Sequence, residues 1–544
     1  MIFKNSLNYI NQFFFFFSNK TRHVYLNSTI YNKKISKIEN NNLEYKPSPS
    51  LLDCLIKYKK KKIKIEDFSL NSFWTNKNIK EKDYKKLHSF FWLFSLDLKS
   101  SKKSTQSTIE NWIEYNEKYN FKNWDIDILS KRIIAWISNT KLTYEDSDKN
   151  YKKKFNATIQ KQINHLINEI ERSEWVDDKM IGCSAIILTG LSYKNNSQYL
   201  TFGLNLVKKI IKLSLDNNGF PKSRNIRQLN FYLKYFVLIR EWLKESQTDI
   251  PEYINETIYY LGQSYSLIYQ GLNQNILFNG NQLSDNSDFN NYLYRLGYKF
   301  KNESNEAGGY AILKNKKIAL TMDIGESPEK KFSTNYQSGA LSFEILSGNK
   351  KLISNSGYFQ DYRHQLNKLS KSTATHSTLI IDNNSSCKLK KQTNQKLVVK
   401  QGLKIIKKSI IFEKNYWCIK AAHDGYNKKY GVIHERQIEF FNENNKFVGN
   451  DKLVKKRNFK SSNFEIRFHL EPNVKIMKTQ DCKSIFIELD KEAWKFICKD
   501  HTINMDTGLY FGKKNSYTDN KNIFISGMTQ RENQIIQWEL IKIA

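Results

Sequence analysis

The stretch Ile318-Ala319-Leu320-Thr321-Met322-Asp323-Ile324 places a large apolar side chain at every second position. A period of two sends alternate side chains to opposite faces, which is the mark of a β-strand. Ile485, Ile487 and Leu489 repeat the pattern. Turn-forming clusters separate such runs: Gly308-Gly309, Ser347-Gly348-Asn349, Asp382-Asn383-Asn384 and Glu443-Asn444-Asn445. Short strands punctuated this way predict an antiparallel sandwich over residues 306–544. Working back toward the N-terminus, the period changes. Leu229, Leu233, Phe236, Val237 and Arg240 fall on one helical stripe, and Leu204–Leu215 reads the same way. Gly190, Gly219 and Gly271 are expected to break the pattern into hairpins over residues 66–305. Residues 1–65 are polar and basic, end near the run Lys59–Lys62, and read as an irregular extension. The fold class is therefore multidomain α and β, helical first and β second.

A chain of 544 residues exceeds what one core usually supports. Apolar residues make up 40% and aromatics 14%, which argues against disorder. The net charge of +33 favours an acidic partner: nucleic acid, anionic membrane or acidic polymer. Lysines also accumulate on solvated surfaces in so Asn-, Lys- and Ile-rich a chain, so charge alone selects no function. No RNA-recognition, zinc-finger or phosphate-loop motif is present, which speaks against nucleic acid. Cys54, Cys183, Cys387, Cys418, Cys482 and Cys498 form no CxxC pair and read as small buried apolar groups. The apolar run Phe13–Phe17 is too short for a membrane span or a signal peptide, so the sequence alone leans cytoplasmic.

Four stretches of the second half carry a further signal. They are Ser338-Gly339-Ala340-Leu341-Ser342-Phe343-Glu344 with Ser354-Asn355-Ser356-Gly357; Ser372-Thr373-Ala374-Thr375-His376-Ser377-Thr378-Leu379; His423-Asp424-Gly425-Tyr426 with Gly431 and His434-Glu435-Arg436; and Ile466-Arg467-Phe468-His469-Leu470-Glu471-Pro472. In order and spacing they resemble the heparinase II/III family. The helical half resembles it more loosely, through Phe91-Trp92, Arg132–Ile137, the loop from Gly219 to Arg224-Asn225, and Phe278-Asn279-Gly280. The resemblance implies an N-terminal incomplete α/α toroid followed by a C-terminal antiparallel β-sandwich. It also implies a lyase that cleaves an acidic, uronic-acid-containing polysaccharide such as a glycosaminoglycan by β-elimination, in a bacterial cell envelope or periplasm.

Such a reaction neutralises the substrate carboxylate, removes the neighbouring proton and protonates the leaving oxygen. Four residues are expected to share these tasks in a cleft between the domains. His376 lies in the best-matching stretch and could act as base. Arg224 could grip a carboxylate bidentately, with Asn225 beside it, unless Asn225 caps a helix and Arg224 is simply solvated. Tyr336 stands where the family often has a histidine, and could donate the proton. No motif demands a cofactor. The resemblance does raise a structural zinc with His376 and His434 as two ligands, although zinc needs more than two. The chain also departs from the family pattern. Asp177-Asp178-Lys179 stands where lyases often carry an Asn-His pair, and Ile226-Arg227-Gln228 follows Arg224 where a tyrosine is usual. The alternative is accordingly a non-catalytic glycan-binding or envelope-assembly protein on the same fold.

Overall fold

The computed structural model describes residues 20–37, 42–55, 74, 79–96, 101–193, 197–272, 274–392, 394–530 and 532–543. The runs Phe13–Phe17 and Lys59–Lys62 lie outside them. Helices fill the first half, and the first strand begins at Glu306. Part of the expected irregular extension is helical: Thr29–Ile35 forms because Ser28 accepts a bond from the Tyr31 amide and caps it. Tyr31 is fully buried there, with its hydroxyl 2.8 Å from Nδ1 of His165. Ile226–Glu245 is helical, with Leu229, Leu233, Phe236 and Val237 buried as the stripe requires. Gly190 is a correction, because it lies inside the helix Val176–Ser192 rather than at a break. A Cβ there would sit 2.5 Å from the Leu200 amide nitrogen, so the glycine permits close helix packing.

The chain divides into two compact units. One holds the described residues up to Leu213 with Lys234–Thr257; the other holds Ser214–Leu233 and everything from Ile258. The first unit packs around aromatics. Trp112 and Trp136 meet edge-to-face at 5.5 Å, and both are fully buried, as is Trp242. Arg132 is buried beside them with its guanidinium over Trp112, donating to Gln162 and to the carbonyls of His88 and Asn123.

The second unit takes in residues ahead of the first strand because they bond to the sheet. The Leu277 amide donates to Glu344, the Gly280 amide to Gln337 and the Leu283 amide to the Gly512 carbonyl. Three larger antiparallel sheets follow among the described residues. Five strands pair in chain order from Glu306–Ala307 to Lys350–Ile353. Eight strands run in the order Lys475–Lys478, Ser484–Leu489, Glu492–Ile497, Gln534–Lys542, Lys446–Lys455, Val432–Phe441, Tyr416–His423 and Ile405–Phe412. Four run in the order Ile503–Tyr510, Thr518–Met528, Asn463–His469 and Leu379–Ile381. One apolar core joins all three, with Phe343 stacked on Trp538 and Phe468 set edge-on against it. Ile318–Asp323 is a strand as its period predicts, and it is buried on both faces because strands flank it and the core covers it.

Candidate functional site

The four family-like stretches converge on one buried residue, Ser377. Its amide donates to Oδ1 of Asn355 at 2.9 Å, and its hydroxyl donates to the Ser354 carbonyl at 2.6 Å. The same hydroxyl accepts the His469 amide at 2.8 Å, while the Ser377 carbonyl accepts Nη1 of Arg436 at 2.7 Å. Glu344 closes the network by accepting from the Asn355 amide at 3.0 Å and from Lys351 Nζ at 2.9 Å. Residues far apart in sequence are thus held by bonds that no spacing reveals.

His376 precedes the strand Leu379–Ile381 and is 1% exposed. Nδ1 lies 2.9 Å from the Ser372 carbonyl, which makes Nδ1 the protonated nitrogen. Nε2 has no partner among the described residues. The ring lies over Gly339, where a Cβ would come within 2.4 Å of it. Burial lowers the imidazole to about 4, against the pull of the Ser372 carbonyl, so the ring is neutral. Across the Thr373–Thr375 turn, His469 bonds to the Ala374 carbonyl and to Ser356.

Arg224 has a left-handed backbone, φ 57°, and its guanidinium turns inward. Nε donates to the Gly308 carbonyl at 2.9 Å, and Nη1 donates to those of Gly325 and Glu326, both at 3.1 Å. Nη2 donates to the Gly309 carbonyl at 3.1 Å and to Oδ1 of Asp323 at 2.6 Å. The plane lies 4.7 Å above Tyr310. An arginine has five N–H donors, and here every one has a protein acceptor. Burial works against this cation, but Asp323 and the tyrosines Tyr310 and Tyr336 outweigh it and raise its pKa. Asn225 caps Ile226–Glu245, its Oδ1 accepting the Arg227 amide at 2.9 Å. Asn225 is thus a helix cap, while Arg224 is buried and bonded rather than solvated.

Tyr336 is 1% exposed within an apolar cluster of Ala340, Cys387, Val399 and Leu403. Its hydroxyl lies 3.8 Å from Sγ of Cys387, and burial raises its pKa well above the ordinary value. The neighbouring Gln337 bonds to the Gly357 and Ser370 carbonyls and to the Gly280 amide.

His434 and Arg436 share one face of Val432–Phe441, as their alternation requires. Both point at Asp451: Nε2 of His434 is 2.6 Å from Oδ1, and Arg436 makes two bonds at 2.7 and 3.0 Å. The Trp538 indole donates to the same carboxylate at 3.0 Å, and the His423 ring stands 5.4 Å from that of His434. Burial would raise the Asp451 pKa, but Arg436 and His434 overcome this and hold it well below the carboxylate range. The zinc does not fit these residues. His376 leads into the four-stranded sheet and bonds to Ser372, whereas His434 lies in the eight-stranded sheet and bonds to Asp451. Asp451 is already occupied by a guanidinium and an indole. Among the described residues no three His, Cys, Asp or Glu side chains gather as a metal would need.

Two cavities of the second unit matter. One of about 830 Å³ adjoins Arg224, and Asp216, Glu303, Glu306, Glu326 and Glu329 outnumber Lys222 and Lys408 on its wall. The other, of about 530 Å³, reaches Ser372 beside His376 and is lined by Lys368, Lys371, Lys388, Lys428 and Lys429. Sequence reading missed these lysines, which come from three separate segments of a lysine-rich chain. In the first unit Asp178 is half-buried. Burial and then Asp127, Asp125 and Asp177 push it up to about 7.

Residues 301–539 match the family model described as heparinase II/III-like, C-terminal. The C-terminal part of this chain is a heparinase II/III-like domain. Solved structures extend the likeness to the helical half. A mutant of the heparan sulfate lyase HepC from Pedobacter heparinus superposes with a TM-score of 0.68 at 12% identity, over 88% of this chain and 79% of that one. A heparinase III structure gives 0.67 at 13% identity, over 93% and 87%. At such identities the likeness is one of fold: an incomplete α/α toroid followed by an antiparallel β-sandwich. No curated protein matches the sequence. No helix among the described residues is long and apolar enough to cross a membrane.

Proposed function

We propose that this protein binds an acidic, uronic-acid-containing polysaccharide in the cell envelope or periplasm, on a fold whose known examples include heparan sulfate lyases, without cleaving it. The ligand class rests on the domain family and on the names of those structures. The absence of cleavage rests on the engagement of the side chains put forward for β-elimination. Arg224 has all five donors on protein acceptors, Asn225 caps a helix, and Tyr336 bonds to Cys387 inside an apolar cluster. A group so engaged must break its own bonds before it can stabilise a transition state, which removes the advantage of preorganisation.

A second reading, β-elimination itself, is favoured by the neutral imidazole of His376 with an unpartnered Nε2. Asp178, which burial and the neighbouring carboxylates push up to about 7, supports it as well, since it belongs to the stretch Asp177-Asp178-Lys179 that stands where lyases often carry an Asn-His pair. The discriminating experiment incubates the full chain with a panel of uronate polymers. Ultraviolet absorbance of the unsaturated product is followed, and binding is measured in parallel. Retained binding with no absorbance gain is the expected result. Product that disappears in a folded His376→Ala variant would establish the lyase and overturn the binding-only reading.

A further inference from the structure

The cavity beside Ser372 combines features that ordinary surface lysines lack. Five lysines from three chain segments line it, and no carboxylate does so among the described residues. Lys368, Lys388, Lys428 and Lys429 are exposed, whereas Lys371 is 1% exposed. None of the five is paired with a carboxylate among the described residues. A buried ammonium is costly unless an anion accompanies it. The Lys371 ammonium donates to the carbonyls of Thr334 and Leu397, which take two of its three N–H donors, and lies 5.9 Å from the centre of the Tyr358 ring, so no anion accompanies it among the described residues. Burial, with Lys396 nearby, lowers it to about 7, as befits a cation lacking its counter-ion. Four further lysines line the same cavity, so an anion that enters it meets a positive potential. The aromatic ring of Tyr430 lines the same cavity, beneath Lys429, whose ammonium lies 4.9 Å above it.

We infer that this cavity is an oxyanion site that receives the sulfate or carboxylate group of an acidic sugar, with Lys371 at its base and Lys428 and Lys429 at its mouth. Naming a sugar rests on the polysaccharide reading above; the oxyanion chemistry rests on the cavity alone. The Arg224 cavity is the contrasting case, since an anionic polymer would meet five carboxylates there and a guanidinium with no donor to offer.

The test uses the full-length chain in four forms: unaltered, Lys428→Ala/Lys429→Ala, Lys388→Ala, and a control, Lys316→Ala/Lys317→Ala. The control removes two exposed lysines from the turn before Ile318 and matches the charge change of the first variant. Calorimetric titration with a sulfated uronate oligosaccharide and with an unsulfated one separates sulfate from carboxylate as the group held. Inorganic sulfate, read by its shift of the melting temperature, probes the cavity without a sugar. In the Lys428→Ala/Lys429→Ala variant, oligosaccharide binding should weaken by about tenfold or more, the scale expected for lost charged hydrogen bonds. Lys388→Ala should weaken it less, and the control should bind normally. Equal weakening in the control and the Lys428→Ala/Lys429→Ala variant would reduce the effect to diffuse charge and overturn the site. Undiminished binding in every variant would place the glycan elsewhere and overturn the site while keeping the polysaccharide reading. Sulfate protection lost only in the cavity variants, with no oligosaccharide bound, would support the oxyanion site and overturn the polysaccharide reading.

Discussion

Arg224 is the residue where chemistry expected from sequence and chemistry present diverge most. A guanidinium that binds substrate must keep donors pointing at solvent, and this one bonds to four carbonyls and a carboxylate. Arg224→Ala therefore leaves Asp323 buried without its cation. The variant should lose about 3–5 kcal/mol of stability, the usual cost of breaking a buried pair. Denaturant unfolding measures this. Unchanged stability with selectively lost glycan binding would restore Arg224 as a ligand-binding residue. Ser377 makes a similar point on a smaller scale. Ser377→Ala removes a hydroxyl that accepts the His469 amide and donates to the Ser354 carbonyl, leaving both groups buried without that partner. A loss of about 1–3 kcal/mol is expected in the same unfolding experiment, and an unaffected midpoint would show that the four stretches do not depend on this bond.

At the scale of elements, helix ends and helix crossings carry the specificity. Asn225 ends an irregular loop by accepting the Arg227 amide, so Asn225→Ala should cost about 0.5–2 kcal/mol. Gly190 tests packing against propensity. Alanine would favour the helix by up to about 1 kcal/mol. The added Cβ would nevertheless meet the Leu200 backbone at 2.5 Å, and backbone yields less readily than a side-chain tip. Overpacking of about 1–3 kcal/mol should win, making Gly190→Ala net destabilising. A melting temperature above that of the unaltered protein would show that the helices separate freely. Sequence reading took this glycine for a break because it weighs local propensity and has no knowledge of the neighbour.

Over the whole molecule, burial governs the response to acid. His88, His165, His376, His423, His434, His469 and His501 all have pKa values lowered first by burial. A depressed folded-state value means that the unfolded chain takes up protons near 6.5 while the folded chain does not. Stability is then complete above 6.5 and falls as pH drops toward about 4 for His376 and about 3 for His88, His165 and His469. Thermal unfolding at pH 7.5 and at pH 5.0 should show a clearly lower midpoint at pH 5.0. Equal midpoints would mean that these imidazoles are solvated.

The sequence by itself determined the change from helix to strand near Glu306, the stripe of Ile226–Glu245 and the turns at Gly308-Gly309 and Asp382–Asn384. Each follows from side-chain period or from backbone freedom over a few residues. It also carried the likeness of residues 301–539 to the heparinase II/III-like C-terminal domain, because four stretches in fixed order leave a trace that needs no coordinates. Tertiary structure alone decided what the polar residues do. Arg224 meets Asp323, Arg436 meets Asp451 and Ser377 gathers four stretches through contacts between distant segments, and hydrogen-bond partners across such distances leave no local period. The same holds for the five lysines. In the chain they are ordinary solvated charges, and only folding brings them around one cavity with Lys371 buried and unpaired by any carboxylate among the described residues.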